Sequence, residues 1–151
     1  MLTVQRAAYL DEARRYDAWE LPPLRETVQQ IQDHIESGMP ALGAWDGTRL
    51  VGSVRGKVDQ ARMEVARLSV APDQQGRGLG RRLLDAVCAE AAGEVVWLFT
   101  GAESEENLRL YLSAGFEEVG EQFDVVGIRC VTLEKTVISR SGPRHETLAG
   151  F

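Results

Sequence analysis

One continuous stretch, from Met63 to Ala92, constrains the fold more than any other part of the chain. Its first part, Val65 to Val70, predicts a β-strand. Its second part predicts an amphipathic helix, because apolar residues recur at helical spacing: Leu79, Leu83, Leu84, Val87, Cys88 and Ala91. Between the two lies a glycine-rich turn, Gln75-Gly76-Arg77-Gly78-Leu79-Gly80. The stretch therefore predicts a strand, a turn and a helix in direct succession.

The glycine-rich turn is suited to binding an anion. Glycine allows backbone conformations with positive φ and lets a ligand approach the amides without meeting a Cβ atom. The first amides of the helix that follows have no intrahelical acceptor, and the helix dipole adds about half a positive charge there. Arg77, Arg81 and Arg82 add formal positive charge in an otherwise acidic chain. Together these features predict a site for an anion, above all a pyrophosphate.

Two motifs of the chain resemble those of a known enzyme family. Gln75-x-x-Gly78-x-Gly80, after a strand that ends Leu68-Ser69-Val70-Ala71-Pro72, resembles the acyl-coenzyme-A-binding motif of the GCN5-related N-acetyltransferases (GNAT). Downstream, Leu110-Tyr111-Leu112-Ser113-Ala114-Gly115-Phe116 is similar to the end of a late helix in that family. The resemblance covers about Leu2 to Val137. It implies an α/β (α+β) GNAT fold, with a mixed, mostly antiparallel sheet of about six to seven strands and about four helices on both faces.

Composition narrows the class of protein further. A chain of 151 residues predicts one domain, over 1–138, followed by a polar tail over 139–151. The net charge of −6, from 17 basic and 23 acidic residues, argues against a nucleic-acid partner and is compatible with a cationic acceptor such as an amine. Two cysteines and two histidines, without ligand-like spacing, predict neither a disulfide framework nor a metal site. With no signal peptide and no apolar run of transmembrane length, we expect a cytoplasmic protein without a membrane partner, and the family resemblance leaves a homodimer open.

The residues before the glycine-rich turn predict helices and a meander of strands. An edge strand is expected over Leu2–Arg6, and a helix over Tyr9–Trp19 that ends before Leu21-Pro22-Pro23. A second helix is expected over Leu24–Ser37. Asp46-Gly47 between two apolar runs is a strong hairpin signal. The meander then has three strands, Ala41–Trp45, Leu50–Val58 and Arg62–Val70.

The residues after the turn and its helix predict one more strand, one helix and a strand pair. Val95–Thr100 is a continuous apolar run, which predicts a strand covered on both faces and a right-handed βαβ unit. A helix follows over Glu105–Ser113, with Ser104 as its N-cap. Glu117–Val125 and Ile128–Thr136 then predict a closing antiparallel pair.

The family resemblance implies which residues bind the coenzyme. In the family the turn binds the pyrophosphate, so we expect backbone amides across Gln75 to Arg81 to do so, with Arg77 and Arg81 near phosphate oxygens. The preceding strand would pair with the pantetheine arm, and its amide near Val70 would face the thioester oxygen. The expected coenzyme-binding residues are therefore Leu68, Ser69, Val70, Gln75, Gly76, Arg77, Gly78, Leu79, Gly80, Arg81, Ser104, Asn107 and Tyr111.

Two other glycine-rich phosphate sites fit this sequence less well. In a dinucleotide-binding turn, the first glycine directly follows the strand and an acidic residue ends the next strand. Here Pro72-Asp73-Gln74-Gln75 intervene, and the next strand ends in Thr100. A nucleotide-hydrolysing P-loop is excluded, because no Gly-Lys-Ser/Thr follows the turn.

Acetyl transfer to an amine also requires groups that move protons. A lysine-like amine has a pKa of about 10.4, so a base must take its proton at neutral pH. Glu64 lies six residues before Val70, which matches the strand carboxylate that serves as general base in some family members, and it shares strand parity with Val70. Glu103 is a second candidate base. By resemblance, Tyr111 would donate a proton to the departing coenzyme A thiolate.

The sequence departs from the family pattern at one position. An asparagine often lies seven residues before the motif tyrosine in the family, and this chain has Ser104 there. Asn107, four residues before Tyr111, lies on the same side of the helix. Either Ser104 or Asn107 could bond the pantetheine arm.

Two functional hypotheses follow. The first is an N-acetyltransferase that transfers acetyl from acetyl-CoA to a primary amine of a small molecule or peptide by direct attack, without a metal. Cys88 and Cys130 are expected to be packing residues, so no covalent acyl-cysteine is invoked. The second is a non-catalytic (acyl-)CoA-binding sensor on the same fold. The tryptophans are expected mostly in the core, although Trp19 is close enough to Pro22-Pro23 to line the acceptor site.

Overall fold

The computed structural model describes residues 1–91 and 95–137. Within these residues the helices are α1 (Leu2–Tyr16), α2 (Pro22–Arg25), α3 (Val28–Glu36), α4 (Leu79–Ala89) and α5 (Glu105–Ser113). The strands are β1 (Ala41–Asp46), β2 (Arg49–Asp59), β3 (Arg62–Val70), β4 (Val95–Gly101), β5 (Glu117–Phe123) and β6 (Arg129–Thr136). The predicted tail over 139–151, and the predicted domain boundary at 138, lie outside the described residues.

The strands form one mixed sheet in the order β1-β2-β3-β4-β6-β5. Every neighbouring pair is antiparallel except β3 and β4, which are parallel. Helices cover both faces: Gly52 of β2 leaves room for Leu83 of α4, whereas Arg55, on the other face of β2, bonds Gln5 of α1. The predicted fold, a mostly antiparallel sheet between helices, is therefore confirmed.

The N-terminal residues begin α1 and do not form the predicted edge strand. The residue types of Leu2–Arg6 suit a strand, but over so few residues they suit one face of a helix as well. The buried side chain of Gln5 donates to the Pro23 carbonyl oxygen (2.9 Å) and to the Glu26 carboxylate (2.7 Å). The pattern of apolar residues gives no information about a buried polar contact of this kind, and the predicted strand was therefore wrong.

The predicted second helix, Leu24–Ser37, is divided into α2 and α3. Glu26 is extended, with φ −59° and ψ 144°, and Thr27 begins α3 through a reciprocal capping box with Gln30. This break lets the carboxylate of Glu26 reach the sheet, where the guanidinium of Arg55 donates to it.

The apolar face of α4 lies at the centre of the core, as predicted. Its buried residues are Leu83, Leu84, Val87 and Cys88, and Ala91, just after the helix, is buried as well. Each fully buried aliphatic side chain contributes about 1.5–3 kcal/mol to stability. Tyr111 and Phe116 complete this side of the core, with their rings edge to face and their centroids 6.1 Å apart. Cys130 is also buried, so the prediction that both cysteines are packing residues is confirmed.

Three aromatic side chains are more exposed than predicted. Trp19 and Trp45 are 52% and 66% exposed, so the expectation of a core position was wrong for both. Trp19 is not among the residues around the main cavity, and its indole nitrogen donates to the Asp17 carboxylate (3.3 Å). Phe99 is 39% exposed, so β4 is not covered on both faces along its whole length. Apolar composition predicts burial only on average, since much of a protein surface is apolar.

The strands β3 and β4 pair over only part of their length. The parallel pairing joins Arg62–Glu64 to Val95–Trp97. Beyond it, β3 continues to Val70 and β4 to Gly101 without pairing with each other. The two strands therefore separate toward their carboxyl ends, and a cleft opens in the middle of the sheet.

Candidate active site

The cleft between β3 and β4 leads into a cavity of about 780 Å³. Residues of β3, the glycine-rich turn, α1, α4 and α5 form its walls. It brings together both predicted catalytic residues, Glu64 and Tyr111, with most of the predicted coenzyme-binding residues: Leu68, Val70, Gln75, Gly76, Gly78, Leu79, Gly80, Arg81 and Asn107. The other predicted residues, Ser69, Arg77 and Ser104, do not line it.

The glycine-rich turn adopts backbone conformations that favour glycine. Gly76 and Gly78 have φ values of +77° and +80°. A Cβ atom built on either residue would meet no other atom within 4 Å. The requirement for glycine therefore comes from the positive φ, and the side of the turn that a Cβ would occupy is open.

The amides of this turn are available to an anion. Gly78 is the N-cap of α4, and no side chain caps this helix. The backbone amides from Gln75 to Arg81 donate to no residue that the structure describes. Unpaired amides at the start of a helix attract negative charge. The predicted anion site therefore has both the open space and the free donors that it needs.

The two arginines predicted near the phosphates are placed differently. Arg81 lines the cavity, and its guanidinium donates to the Asp85 carboxylate (3.0 and 3.1 Å) and to the Ser113 carbonyl oxygen (3.0 Å). These bonds hold its positive charge between α4 and α5. Arg77 is exposed, and its guanidinium lies 3.5 Å from the side-chain oxygen of Gln74.

A β-bulge in β3 decides which of its residues share a face. The register of β2 and β3 shifts between Ser53 and Arg55, where β3 has one extra residue, and Arg67 there has a φ of +57°. The extra residue reverses the alternation of side chains, so Glu64 and Val70 lie on opposite faces of the sheet. The predicted shared face was therefore wrong. Both residues still line the cavity, because it lies in the gap between the two strands.

Tyr111 forms part of the cavity wall from α5. It is 8% exposed, its ring packs against Phe116, and its hydroxyl bonds no residue in the described part of the chain. Burial, and then the nearby Tyr9 and Glu12, raise the pKa of the Tyr111 hydroxyl above its ordinary value. The hydroxyl is therefore protonated at neutral pH and able to donate.

Ser104 has other partners than those predicted. It occupies the N-cap position of α5, but its side chain does not cap the helix. Its hydroxyl donates to the Glu12 carboxylate (2.7 Å) and lies 2.9 Å from the Tyr16 hydroxyl. Ser104 is therefore the N-cap residue as predicted, but it is fully buried and these contacts explain why its hydroxyl does not cap the helix. Asn107 lines the cavity, whereas the exposed side chain of Glu103, the second candidate base, does not.

Several residues of the cavity wall were not predicted from the sequence. They come from α1, the α1–α2 connection, the end of β5 and the β5–β6 loop, and include Tyr9, Glu12, Tyr16, Leu21, Phe123 and Val125. The proline pair after Leu21 gave a signal for the connection. No local signal could bring Glu12 to Ser104, which lies 92 positions away in the sequence.

A buried ion pair holds the α2 side of the cleft. Arg55, whose side chain is 3% exposed, donates to the Glu26 carboxylate and to Gln5, and Arg67 lies 3.4 Å from the same carboxylate. Burial alone would raise the pKa of Glu26, but the hydrogen bonds from Arg55 and Gln5 prevail and lower it. Glu26 is therefore ionised at neutral pH. The Nε atom of Arg55 is buried without a partner among the described residues.

The two thiols are not suited to nucleophilic attack. Burial raises the pKa of Cys88 and of Cys130 to about 11, so both are protonated at neutral pH.

Across the part of the chain that the structure describes, no group of three or more His, Cys, Asp or Glu side chains is arranged to hold a metal ion. In the same part, every helix is too short or too polar to cross a membrane.

The fold that carries this cleft is an acetyltransferase domain. The model of the acetyltransferase (GNAT) domain family matches residues 14–137. The chain therefore belongs to the GNAT family, and it is an N-acetyltransferase.

Individual relatives agree with this assignment. The N-alpha-acetyltransferase RimI of Mycobacterium tuberculosis is 41% identical over 123 residues, which cover 77% of this chain and 73% of that protein. The ribosomal-protein-alanine N-acetyltransferase of Brucella melitensis has the same fold, with a TM-score of 0.70 and 23% identity over 90% of this chain and 94% of that chain. A GNAT acetyltransferase of Elizabethkingia anophelis with acetyl-CoA bound has a TM-score of 0.63 and 19% identity, over 74% and 84% of the two chains.

Proposed function

We propose that this protein transfers the acetyl group of acetyl-CoA to a primary amine, and that the acceptor is the α-amino group of a peptide or protein. The observation that carries the proposal is the cleft between β3 and β4, which ends at the unpaired amides of the glycine-rich turn. A peptide acceptor is supported by the relatives, since one is named an N-alpha-acetyltransferase and another a ribosomal-protein-alanine N-acetyltransferase. A small-molecule amine is the alternative acceptor.

The residues around the cleft fit acetyl-CoA, which supplies an acetyl group activated as a thioester. The amides from Gln75 to Arg81 would hold its pyrophosphate, and Gly76 and Gly78 leave the space for that contact. The edge of β3 from Leu68 to Val70 has no partner in β4 and would pair with the pantetheine arm. An amide in this segment would donate to the thioester oxygen, an interaction worth about 3 kcal/mol where charge develops.

Two side chains would move the protons. Glu64 would accept one proton from the ammonium form of the acceptor, which frees the nitrogen lone pair for attack on the thioester carbonyl carbon. As the C–N bond forms and the C–S bond breaks, Tyr111 would give its hydroxyl proton to the sulfur. The nitrogen then loses a second proton, which restores Tyr111. The products are an amide, a thiol and one proton, which Glu64 returns to the solvent.

Transfer to a peptide that begins with alanine tests the proposal. We expect the purified protein and acetyl-CoA to add one acetyl group to the α-amine, measured by fragmentation of the peptide in a mass spectrometer. The matched control is the same peptide with a blocked N-terminus and one internal lysine, which should gain no acetyl group. If acetyl-CoA binds but no peptide or small amine is acetylated, the second hypothesis, a non-catalytic sensor, replaces the first.

Other expectations from the sequence stay predictions. They are a cytoplasmic location, no nucleic-acid or membrane partner, and a reaction without a metal. A homodimer stays open, and sedimentation of the purified protein would decide it.

A further inference from the structure

A second carboxylate, that of Glu12 on α1, lies in the cavity wall in a fixed orientation. Its side chain is 21% exposed. One carboxylate oxygen accepts from the Ser104 hydroxyl (2.7 Å), and the other accepts from the Arg15 guanidinium (2.9 Å). A carboxylate offers about four acceptor positions, so these two bonds leave others free. The protein therefore holds the Glu12 carboxylate in place and leaves some of its acceptor positions free.

The hydrogen bonds behind Glu12 all point toward it. The backbone amide of Glu103 donates to the Tyr16 hydroxyl (2.9 Å), which lies 2.9 Å from the Ser104 hydroxyl. An amide can only donate and a carboxylate can only accept, so the Tyr16 hydroxyl donates to Ser104, and Ser104 donates to Glu12. The hydroxyl groups of Tyr16 and Ser104 thus form a chain of hydrogen bonds that ends at the Glu12 carboxylate. An arrangement of this kind fixes the position of the Glu12 carboxylate.

Glu12 also lies near the proposed proton donor. Its charge acts on the hydroxyl of Tyr111, the group that would protonate the departing sulfur, and on the hydroxyl of Tyr9. The nitrogen of the acceptor must approach the same region, because it attacks the carbon bonded to that sulfur. Glu64 lies on the α1 face of the sheet as well, so both carboxylates line the cavity on that face.

We propose that Glu12 binds the ammonium group of the acceptor through a charge-assisted hydrogen bond, with Ser104 and Tyr16 as positioning residues. This inference rests on the proposed function and assigns a separate task to Glu12. Glu12 holds the cation in the cavity, whereas Glu64 takes its proton. A neutral group of the same size, such as a hydroxyl, would gain little from this site.

Kinetic constants separate the proposed role from a structural one. Glu12→Gln keeps an oxygen that can accept from Ser104, but it removes the charge. We expect the KM for the alanyl peptide to rise about 10–100-fold, the loss that corresponds to one hydrogen bond to a charged group. The kcat at saturating peptide and the KM for acetyl-CoA should change little. Glu105→Gln is the matched control, because Glu105 is 80% exposed at the start of α5 and away from the cavity.

A binding measurement tests the recognition of charge without turnover. The probes are the alanyl peptide and the same peptide with lactic acid in place of alanine, so that a hydroxyl replaces the ammonium group. Each is titrated by calorimetry into protein saturated with coenzyme A. We expect the wild type and Glu105→Gln to prefer the alanyl peptide about 10–100-fold, and Glu12→Gln to bind both peptides equally.

Two results for the variant would overturn the inference. In the first, Glu12→Gln binds the alanyl peptide as tightly as the wild type does. In the second, the affinity of Glu12→Gln for both peptides falls by the same factor, as a merely structural role predicts. A failure of the proposed function would be recognised in the wild type alone, which would then neither bind nor acetylate the alanyl peptide. In that case Glu12 loses its proposed ligand as well.

Discussion

At the scale of single residues, Tyr111 combines a firmly held ring with a free hydroxyl. Phe116 packs against the ring, while the hydroxyl has no partner among the described residues. Tyr111→Phe therefore removes a proton donor without breaking an internal hydrogen bond. We expect kcat to fall about 100-fold or more, the usual contribution of a general acid, with little change in the affinity for acetyl-CoA. Steady-state kinetics and calorimetry measure both quantities.

The thermal midpoint of Tyr111→Phe is the control for this experiment. It should stay close to that of the wild type, because the ring and its packing remain. If kcat is unchanged in a folded variant that binds acetyl-CoA, the leaving sulfur receives its proton from another group.

Removal of the charge of Glu26 should lower the stability of the folded protein. Glu26→Gln would leave the guanidinium of Arg55, 3% exposed, without its charged partner. Breaking a buried ion pair in this way costs about 3 kcal/mol. We expect a loss of this size in the free energy of unfolding at pH 7, measured in urea. Gln29→Ala on the exposed side of α3 is a control that should stay near the wild type.

The same substitution has a pH dependence with a definite sign. The pKa of Glu26 in the folded protein is below the ordinary value of a glutamate, which it has in the unfolded chain. Its contribution is therefore fully present above that value and is lost as the pH falls through the lower, folded pKa. We expect the difference in unfolding free energy between wild type and Glu26→Gln to shrink as the pH is lowered from 7 toward 3. A constant difference would contradict the assigned pKa direction.

Sequence reasoning identified the residues with a local motif and missed those without one. Tyr111 and the turn glycines belong to short patterns that a reader of the sequence can recognise. Glu12 and Ser104 meet across 92 positions, and Gln5 is a buried polar side chain in a helix. Such contacts depend on how α1 crosses the sheet, which no periodicity encodes.

At the scale of elements, the glycine-rich turn was predicted well because its chemistry is local. Positive φ at Gly76 and Gly78 and the free amides follow from the spacing of glycines before a helix. The β-bulge at Arg67 was not predictable in the same way. It adds one residue to β3 and so places Glu64 and Val70 on opposite faces. Strand parity holds only where the ladder is regular.

Gly78 and Gly127 have similar backbone conformations, so substitution of each one distinguishes the effect of backbone strain from the effect of ligand contact. Gly78 and Gly127 have φ values of +80° and +85°, and a Cβ on either would meet no atom within 4 Å. Gly78→Ala and Gly127→Ala should therefore each lose about 1 kcal/mol of stability through backbone strain. Only Gly78 lies in the cavity wall, so only Gly78→Ala should weaken acetyl-CoA binding, by about tenfold or more.

Calorimetric titration of both variants measures this difference. If both variants bind acetyl-CoA as tightly as the wild type does, the Gly78 side of the turn is not where the pyrophosphate binds. A weaker affinity in both would assign the effect to lost stability.

At the scale of the whole molecule, the sheet was predictable except for the separation of β3 from β4. Apolar runs and turn signals predicted the hairpin of β1 and β2, the meander to β3 and the closing pair of β5 and β6. They did not predict that β3 and β4 would pair only at one end, because unpaired strand edges have no sequence pattern of their own. The cleft that results is the feature on which the proposed function depends.

Acetyl-CoA should complete the sheet at this cleft and stabilise the whole molecule. A free ligand concentration of about 100 times Kd adds about 2.7 kcal/mol, which for a chain of this size raises the thermal midpoint by about 5–10 °C. The protection should be local as well: amides from Leu68 to Val70 should exchange hydrogen more slowly, while those of β1 change little. Hydrogen exchange followed by mass spectrometry measures this. A raised midpoint without slower exchange in β3 would mean that the pantetheine arm does not pair with this strand.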